Sequence, residues 1–276
     1  MEGKEIVTFR SRLNALPIDL KVDLGEVTYQ KGMLASSRRK RCIEVLESSG
    51  IEYREVGTGT NRFIIKHDGF AMKIALDKEG IADNMQEWVM SPLTSPDTAP
   101  AHEISKGGHL LVASYAPAFS SWQDMCNKRG EIIPILKKWS KRFLLGDVGF
   151  TSKNYANWGM LDGRPVCIDY AYLFPASMDL FKCYCGSKNI YPTNNYTRYE
   201  CLDCRRVFED REIRARISVE ERLKLFSQVS GFELTEEFQE VEIPMRPIKE
   251  STNPDYPSRV ETAMEMIKLK GGSGIV

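Results

Sequence analysis

The stretch Asn157–Ala171, NWGMLDGRPVCIDYA, decides how the chain is read. Asp162-Gly163 stands between two short runs, Asn157–Leu161 and Pro165–Asp169, and Asp-Gly between alternating apolar residues is a strong hairpin signal. Asn157 opens the hairpin and Asp169 closes it twelve positions later, so an amide oxygen and a carboxylate fall at the same open end. Hard oxygen donors of this kind suit Mg²⁺, which keeps waters or phosphates in its remaining positions. The same residues would also make an ordinary surface hairpin, and the choice between the two rests on the rest of the chain.

The chain has 276 residues, enough for one large domain or two small ones. A hydrophobic content of 42% and a charged content of 28% are ordinary for a globular protein. With 38 basic and 38 acidic residues, no global charge excess points to nucleic acid or a membrane surface. No run reaches the roughly 18 to 20 apolar residues that a bilayer span needs. The opening MEGKEIVTFR lacks the apolar core of a signal peptide, so a cytoplasmic protein is expected. Seven cysteines, an odd number, then argue for metal and buried thiols rather than a disulfide framework.

Upstream of the hairpin, residues 1–50 read as an N-terminal extension followed by a helix from Ser36 or Ser37 to Ser49, stopped by Gly50. The helix carries a basic run, Arg38–Arg41, which reads as a solvated face more readily than as a phosphate contact. Strands are expected at Ile51–Val56, Phe63–Lys66 and Phe70–Leu76, with Gly57 and Gly59 in the first connection, where free N–H groups can meet phosphate. Lys73 lies in mid-strand among apolar neighbours, so its ammonium needs a partner or water. A helix is expected over Ile81–Met90, and Glu87, fourteen residues after Lys73, could reach back to it. Pro92–Pro100 reads as a linker, and Ala101–Lys106 and His109–Tyr115 as two more strands. A polar segment, Pro117–Ser121, leads into a helix around Trp122–Lys128 and an amphipathic helix at Glu131–Leu145, with Pro134 in its first turn.

This order resembles a protein kinase over roughly residues 50–175, closest to the compact, divergent kinase-like proteins of phages and bacteria. Gly57 and Gly59 resemble the first two glycines of the glycine-rich loop, with Arg62 near the place of the third. Phe70-Ala71-Met72-Lys73 resembles the Val-Ala-Ile-Lys strand, and Glu87 the glutamate that pairs with its lysine. Tyr115–Ser121 would be the hinge that holds adenine. Asn157 resembles the catalytic-loop asparagine, and Ile168-Asp169-Tyr170-Ala171 the Asp-Phe-Gly element. The resemblance implies ATP with Mg²⁺ held by Gly57, Gly59, Lys73, Glu87, Asn157 and Asp169. It also implies an α+β, two-lobed fold: a five-stranded antiparallel N-lobe at 51–116 and a reduced helical C-lobe at 117–180.

The chain departs from the kinase pattern where catalysis is decided. Ser152 stands five residues before Asn157, where a kinase has its aspartate, and a serine cannot accept a proton at ordinary pH. Asp147 takes that role if the loop is five residues longer than usual. Ala171 replaces a glycine, and no activation-segment motif follows. Positioning and electrostatics supply most of the rate in phosphoryl transfer, so a degenerate loop lowers activity without abolishing it. Two readings stand: a phosphotransferase acting on a protein or small-molecule hydroxyl, and a pseudokinase scaffold.

Beyond the hairpin, Cys183-x-Cys185-Gly186, a fifteen-residue gap and Cys201-x-x-Cys204 resemble a zinc ribbon over 181–210, with four thiolates for structural Zn²⁺. Arg198, Arg205, Arg206, Tyr196 and Tyr199 offer nucleic acid a surface, against which Glu200, Asp203, Glu209 and Asp210 argue. A protein partner at the ribbon and tail is the alternative. In residues 211–276, Ser218-Val219-Glu220-Glu221 is a capping box opening a helix to about Val229. An irregular arm follows from Glu242, with a short amphipathic helix at Val260–Leu269 that docks on the body or on a partner. The histidines His67, His102 and His109 show no ligand or nucleophile pattern.

Overall fold

The computed structural model describes residues 20–21, 23–27, 33–105, 107–175, 181–192, 196, 198–209, 212–213 and 217–230. The arm from Glu242 and the helix expected at Val260–Leu269 lie outside them. The chain forms two compact units. One takes its described residues from Met1–Trp88 and Ala101–Tyr115, the other from Val89–Pro100 and Ala116–Ser230.

The first unit is built on a five-stranded antiparallel sheet: β1 (Arg54–Thr58), β2 (Arg62–His67), β3 (Phe70–Ala75), β4 (Ala101–Ile104) and β5 (Leu110–Ser114), in the order β1-β2-β3-β5-β4. Strand β3 is central and buried along its whole length, which explains its near-continuous apolar run. Helix α1 (Ala35–Ser49) ends on Gly50, whose left-handed backbone at φ 69° stops it. Cys42 and Leu46 of α1 join Phe63, Ile65, Met72 and Ile74 in one apolar cluster. Arg38 departs from the solvated-face reading: it is buried and donates to the Gly25 carbonyl at 2.9 Å. Lys21 and Glu103 form a second buried contact at 2.9 Å. Burial raises the Glu103 carboxyl, and Lys21 pulls it back.

Helix α2 runs over Lys78–Thr94, longer than expected. It passes through Pro92, so the linker reading of Pro92–Thr94 is corrected. A proline near a helix end forgoes one N–H bond, and here the helix closes with Thr94 Oγ1 donating to the Met90 carbonyl at 2.8 Å.

In the second unit, Ser121 caps α3 (Trp122–Asn127) by accepting from the Asp124 N–H. Helix α4 spans Arg129–Ser140, and Phe143–Leu145 forms a strand, β6, where the helix was expected to continue. Pro134 therefore sits in the second turn of α4 rather than the first. The physical reason is burial: Phe143, Leu144 and Leu145 are all buried, and three consecutive buried side chains fit a strand covered on both faces, not a one-sided helix. The hairpin forms as read, with β7 (Trp158–Leu161) antiparallel to β8 (Arg164–Cys167). Asp162 and Gly163 have φ of 50° and 78°, the pair of positive angles that a type I′ turn demands. Strand β9 (Leu173–Pro175) pairs with β6.

A fourth sheet, β10 (Ile190–Pro192), β11 (Arg198–Cys201) and β12 (Val207–Glu209), follows. Helix α5 (Val219–Ser230) opens with the expected capping box: the Ser218 N–H donates to Glu221 at 2.9 Å, and the Glu221 N–H to the Ser218 hydroxyl at 3.2 Å. None of the described helices is long and apolar enough to cross a membrane.

The first unit should lose stability in mild acid. Burial lowers His102 to about 4, and burial with the neighbouring Arg38 lowers His109 to about 3. An unfolded imidazole titrates near 6.5, so below that pH the unfolded chain binds more protons than the folded one. Stability is then full above pH 6.5 and declines as pH falls toward 4. Denaturant unfolding followed from pH 7 to 5 should show this decline, and His109→Gln should flatten its slope by up to about 1.4 kcal/mol per pH unit. An identical slope in the variant would refute the assignment to His109.

Candidate functional site

In the first unit, charge concentrates where β2, β3 and α2 meet. Lys73, buried in the central strand, pairs with Glu87. Glu87 is fully buried and uses its other oxygen to hold Arg62 at 2.8 Å. Arg62 also lies 4.0 Å from Asp83, so two cations meet two carboxylates out of water. Asn84, on the same helix, donates to the Lys73 carbonyl at 3.0 Å and to the Gly108 carbonyl at 2.9 Å, locking α2 against the strand that carries Lys73. Removing one member of such a buried set leaves an uncompensated charge, at a cost of about 3–5 kcal/mol.

The sequence pointed to Lys73 and Glu87 but missed that Arg62 is their third member. A signal was present: Asp83 and Glu87 are spaced i, i+4, which places two acids on one helix face and calls for more than one cation opposite. Gly57 sits at an irregularity in the β1–β2 register, and Gly59 is exposed in the connection that follows.

In the second unit, the loop after β6 is held by its own hydrogen bonds. Gly146 donates to the Tyr172 carbonyl at 2.8 Å. A Cβ at Gly146 would come within 2.9 Å of the Tyr172 side chain, so only glycine allows this approach. Asp147 follows with φ 54°, a left-handed conformation that costs a non-glycine residue on the order of 1 kcal/mol. Its carbonyl accepts from the Asn157 amide at 2.6 Å. Trp158 adds a bond from its indole N–H to the Val148 carbonyl at 2.9 Å and stacks on Trp139 of α4 at 5.8 Å. Ser152 is exposed in a turn elsewhere in the loop.

The backbone N–H groups of Ile168 and Asp169 both point to the Asn157 carbonyl, at 2.8 and 3.3 Å. Asp147, Asn157 and Asp169 are each half-buried. With its amide nitrogen committed to Asp147, Asn157 keeps its oxygen as the donor suited to a hard cation, and Asp169 supplies a carboxylate. Downstream of Asp169 the chain is pinned twice. Tyr170 donates to the Ala99 carbonyl at 3.0 Å. Buried Arg222 of α5 donates to the Ala171 carbonyl at 3.2 Å and lies over the Tyr172 ring at 4.6 Å. Nothing local marks Arg222, since a lone arginine in a helix with a charged first turn reads as surface charge.

The segment expected to hold adenine is partly engaged elsewhere. The Phe119 N–H donates to the Trp158 carbonyl at 2.9 Å, and the Pro117 carbonyl accepts from the Met160 N–H at 3.0 Å. Both groups serve the hairpin, and the Phe119 N–H, a single donor, is closed to a base.

Cys183, Cys185, Cys201 and Cys204 converge, with all four sulfurs within 4.8 Å of one another. Cys183 and Cys204 are 3.3 Å apart, Cys185 and Cys201 3.7 Å; the edge of a tetrahedron built on Zn–S bonds of ~2.3 Å is ~3.8 Å. The four can hold a metal such as zinc. Each pair is followed by a left-handed residue, Gly186 at φ 85° and Arg205 at φ 62°, so both pairs sit on tight turns despite their unequal spacing. Desolvation is the largest single effect on Cys201 and raises it, but the N–H groups of Cys204 and Asp203 and the thiols of Cys183 and Cys185 together outweigh it and bring Cys201 down to about 6. For Cys185, the Ser187 N–H favours the thiolate, but contact with Cys183 and the other thiols pushes it up to about 12.

Tyr199 corrects the nucleic-acid reading: it is fully buried, so it offers no ring to a base. Arg205 pairs with Glu200 at 3.1 Å and Arg198 with Glu209 at 3.9 Å, which cancels much of the basic surface.

No protein-family model matches the chain. No curated protein matches it either. Among solved structures, the chain is similar to the Rio2 kinase of Chaetomium thermophilum, solved as an ADP/Mg²⁺-phosphoaspartate complex, at 12% identity and a TM-score of 0.37. The match covers 84% of this chain and 76% of that one. A likeness at this level leaves the roles of the residues to their own geometry.

Purified protein should carry about one zinc per chain, read by elemental analysis. Cys201→Ser should release it and melt the β10–β12 module, since three thiolates hold zinc far less well than four. A wild-type protein purified without metal, or a Cys201→Ser variant that keeps it, contradicts this assignment.

Proposed function

We propose that the chain is a kinase-like protein that binds ATP with Mg²⁺. The observation that carries this reading is the buried Lys73–Glu87 pair, a mid-strand lysine held by a helix glutamate fourteen residues on. A hydrophobic contact would stabilise β3 and α2 at less cost than buried charge, so the pair makes sense as a fixed ammonium for a phosphate. In this reading Lys73 meets the phosphates, Gly57 and Gly59 allow the β1–β2 connection to approach them, and Asn157 and Asp169 hold Mg²⁺. The ion would neutralise charge on the phosphate oxygens. The four-cysteine module is structural, because four protein ligands leave a zinc no open position.

Asp147, not Ser152, is the residue we assign as proton acceptor. It lies one residue beyond β6, after Gly146, is bonded to Asn157 through its carbonyl, and carries its carboxylate on a backbone held in a strained, left-handed conformation. A carboxylate there can take the proton of an acceptor hydroxyl on a protein or a small molecule, the role that phosphoryl transfer leaves to the protein. The ten-residue spacing to Asn157 is absorbed by the bonds within the loop.

A second reading, an interaction scaffold, rests on one further observation. Among the described residues, five large apolar side chains are exposed, and four of them, Tyr184, Tyr191, Leu202 and Val207, belong to the cysteine module. With Arg198 and Arg205 paired to acids and Arg206 laid over the Tyr184 ring, that surface suits a protein partner better than nucleic acid.

ATP with Mg²⁺ should raise the melting temperature by a few degrees, equivalent to ~2.7 kcal/mol at a concentration a hundredfold above Kd. Lys73→Ala and Asp169→Ala should each weaken binding by about tenfold or more. No shift for wild type sinks the nucleotide reading, and unchanged affinity in both variants sinks the residue assignment.

Transfer of label from γ-labelled ATP to the protein itself, or to a hydroxyl acceptor, tests the second assignment. Asp147→Asn should lower the rate about 100-fold or more, the usual scale for a lost general base, while Ser152→Ala leaves it unchanged. Equal rates for wild type and Asp147→Asn remove Asp147 from the chemistry, and no transfer by wild type favours the scaffold.

A further inference from the structure

Leu145 closes β6, two residues before Asp147. Because Gly146 turns its N–H toward Tyr172 on the β9 side, alternation along the strand turns the polar groups of Leu145 to the opposite edge. Leu145 is fully buried, so both its N–H and its carbonyl need partners inside the protein. One hydroxyl serves both. Tyr199 donates to the Leu145 carbonyl at 3.0 Å and accepts from the Leu145 N–H. A phenol is suited to this because its oxygen can donate and accept at once.

Tyr199 belongs to the four-cysteine module. It lies in the middle strand of that sheet, opposite Pro192 on one side and Phe208 on the other, two residues before Cys201. The backbone of Cys201 is bound into the second cysteine turn through its N–H to the Arg206 carbonyl at 2.9 Å and its carbonyl to the Arg205 N–H at 2.8 Å. Two residues of backbone therefore join Cys201 of the thiol cluster to Tyr199, and the Tyr199 side chain joins them to the strand that precedes Asp147.

We infer that Tyr199 is a positioning residue through which metal binding at the four cysteines sets the geometry of the loop from Gly146 to Asn157. The module is then more than a clamp for its own sheet. When it is folded, the Tyr199 hydroxyl fixes the end of β6, Asp147 keeps its left-handed backbone, and the Asp147 carbonyl orients the Asn157 amide. When the metal leaves and the sheet loosens, two buried backbone groups lose their shared partner, and the loop loses its footing. The functional half of this inference rests on the assignment of Asp147 and Asn157 to a nucleotide site; the structural half does not.

Full-length Tyr199→Phe tests it, since phenylalanine keeps the buried ring and removes only the hydroxyl. The variant should retain about one zinc per chain and slow amide exchange at Cys201 and Leu202. Exchange at Leu145–Asp147 should rise by about tenfold or more. Wild type stripped of zinc by a chelator should show the same rise, together with loss of protection at Cys201 and Leu202. In both samples the gain in ATP affinity on adding Mg²⁺ should shrink several-fold, with affinity for ATP alone unchanged; a merely structural defect would lower both together. Unchanged exchange at Leu145–Asp147 in Tyr199→Phe overturns the inference, as does loss of zinc from that variant. If wild type binds no ATP, the nucleotide reading fails, and the exchange pattern still decides whether Tyr199 couples the module to the strand.

Discussion

Glu87 has no access to water and holds a cation on each of its oxygens, Arg62 from β2 and Lys73 from β3. Charge buried in this way is a constraint before it is a source of stability. Each ion must be met, or it costs several kcal/mol, so the helix, the central strand and the strand beside it have one relative placement that satisfies all three. Asn84 fixes the same placement through neutral groups, tying the helix to the Lys73 and Gly108 carbonyls. The first unit therefore spends its most expensive interactions on holding one ammonium in one position.

The second unit reaches rigidity by another route. Its candidate residues lie on or beside short elements: a three-residue strand, a tight hairpin and the connection from Gly146 to Asn157 between them. None of these would be stable alone. Backbone groups and buried aromatic rings supply what length does not. Asn157 binds the Asp147 carbonyl, Trp158 binds the Val148 carbonyl and stacks on Trp139, and Arg222 holds the chain beyond Asp169. The polar residues implicated in chemistry are half-buried, while the groups that hold them are buried completely.

What the sequence disclosed follows from the range of each interaction. The hairpin was legible because Asp162-Gly163 meets a local demand for two positive φ angles. The Lys73–Glu87 pair was legible because a lysine amid apolar neighbours requires an acid within reach. Arg62 was harder, since its place beside glycines suggested a failed loop motif rather than a buried ion. The change from helix to strand at Lys141–Arg142 was hidden because Phe143 falls in step with the apolar stripe of α4, and only burial of Leu144 and Leu145 separates the two structures. Tyr199 was misread and Arg222 passed over for one reason: their partners lie fifty or more residues away, beyond any local pattern.

Those separations have a consequence for how the protein is made. The ribosome delivers β6 and Asp147 long before Tyr199, which lies 54 positions after Leu145, and delivers Ala171 51 positions before Arg222. The loop and the segment after Asp169 emerge without the side chains that hold them, and closing such distant contacts is slow compared with forming local turns. The second unit is therefore assembled in a fixed sequence, with its centre finished last by residues from its far end. A chain released early, or starved of metal during synthesis, would have its five-stranded sheet paired and its second unit unfinished.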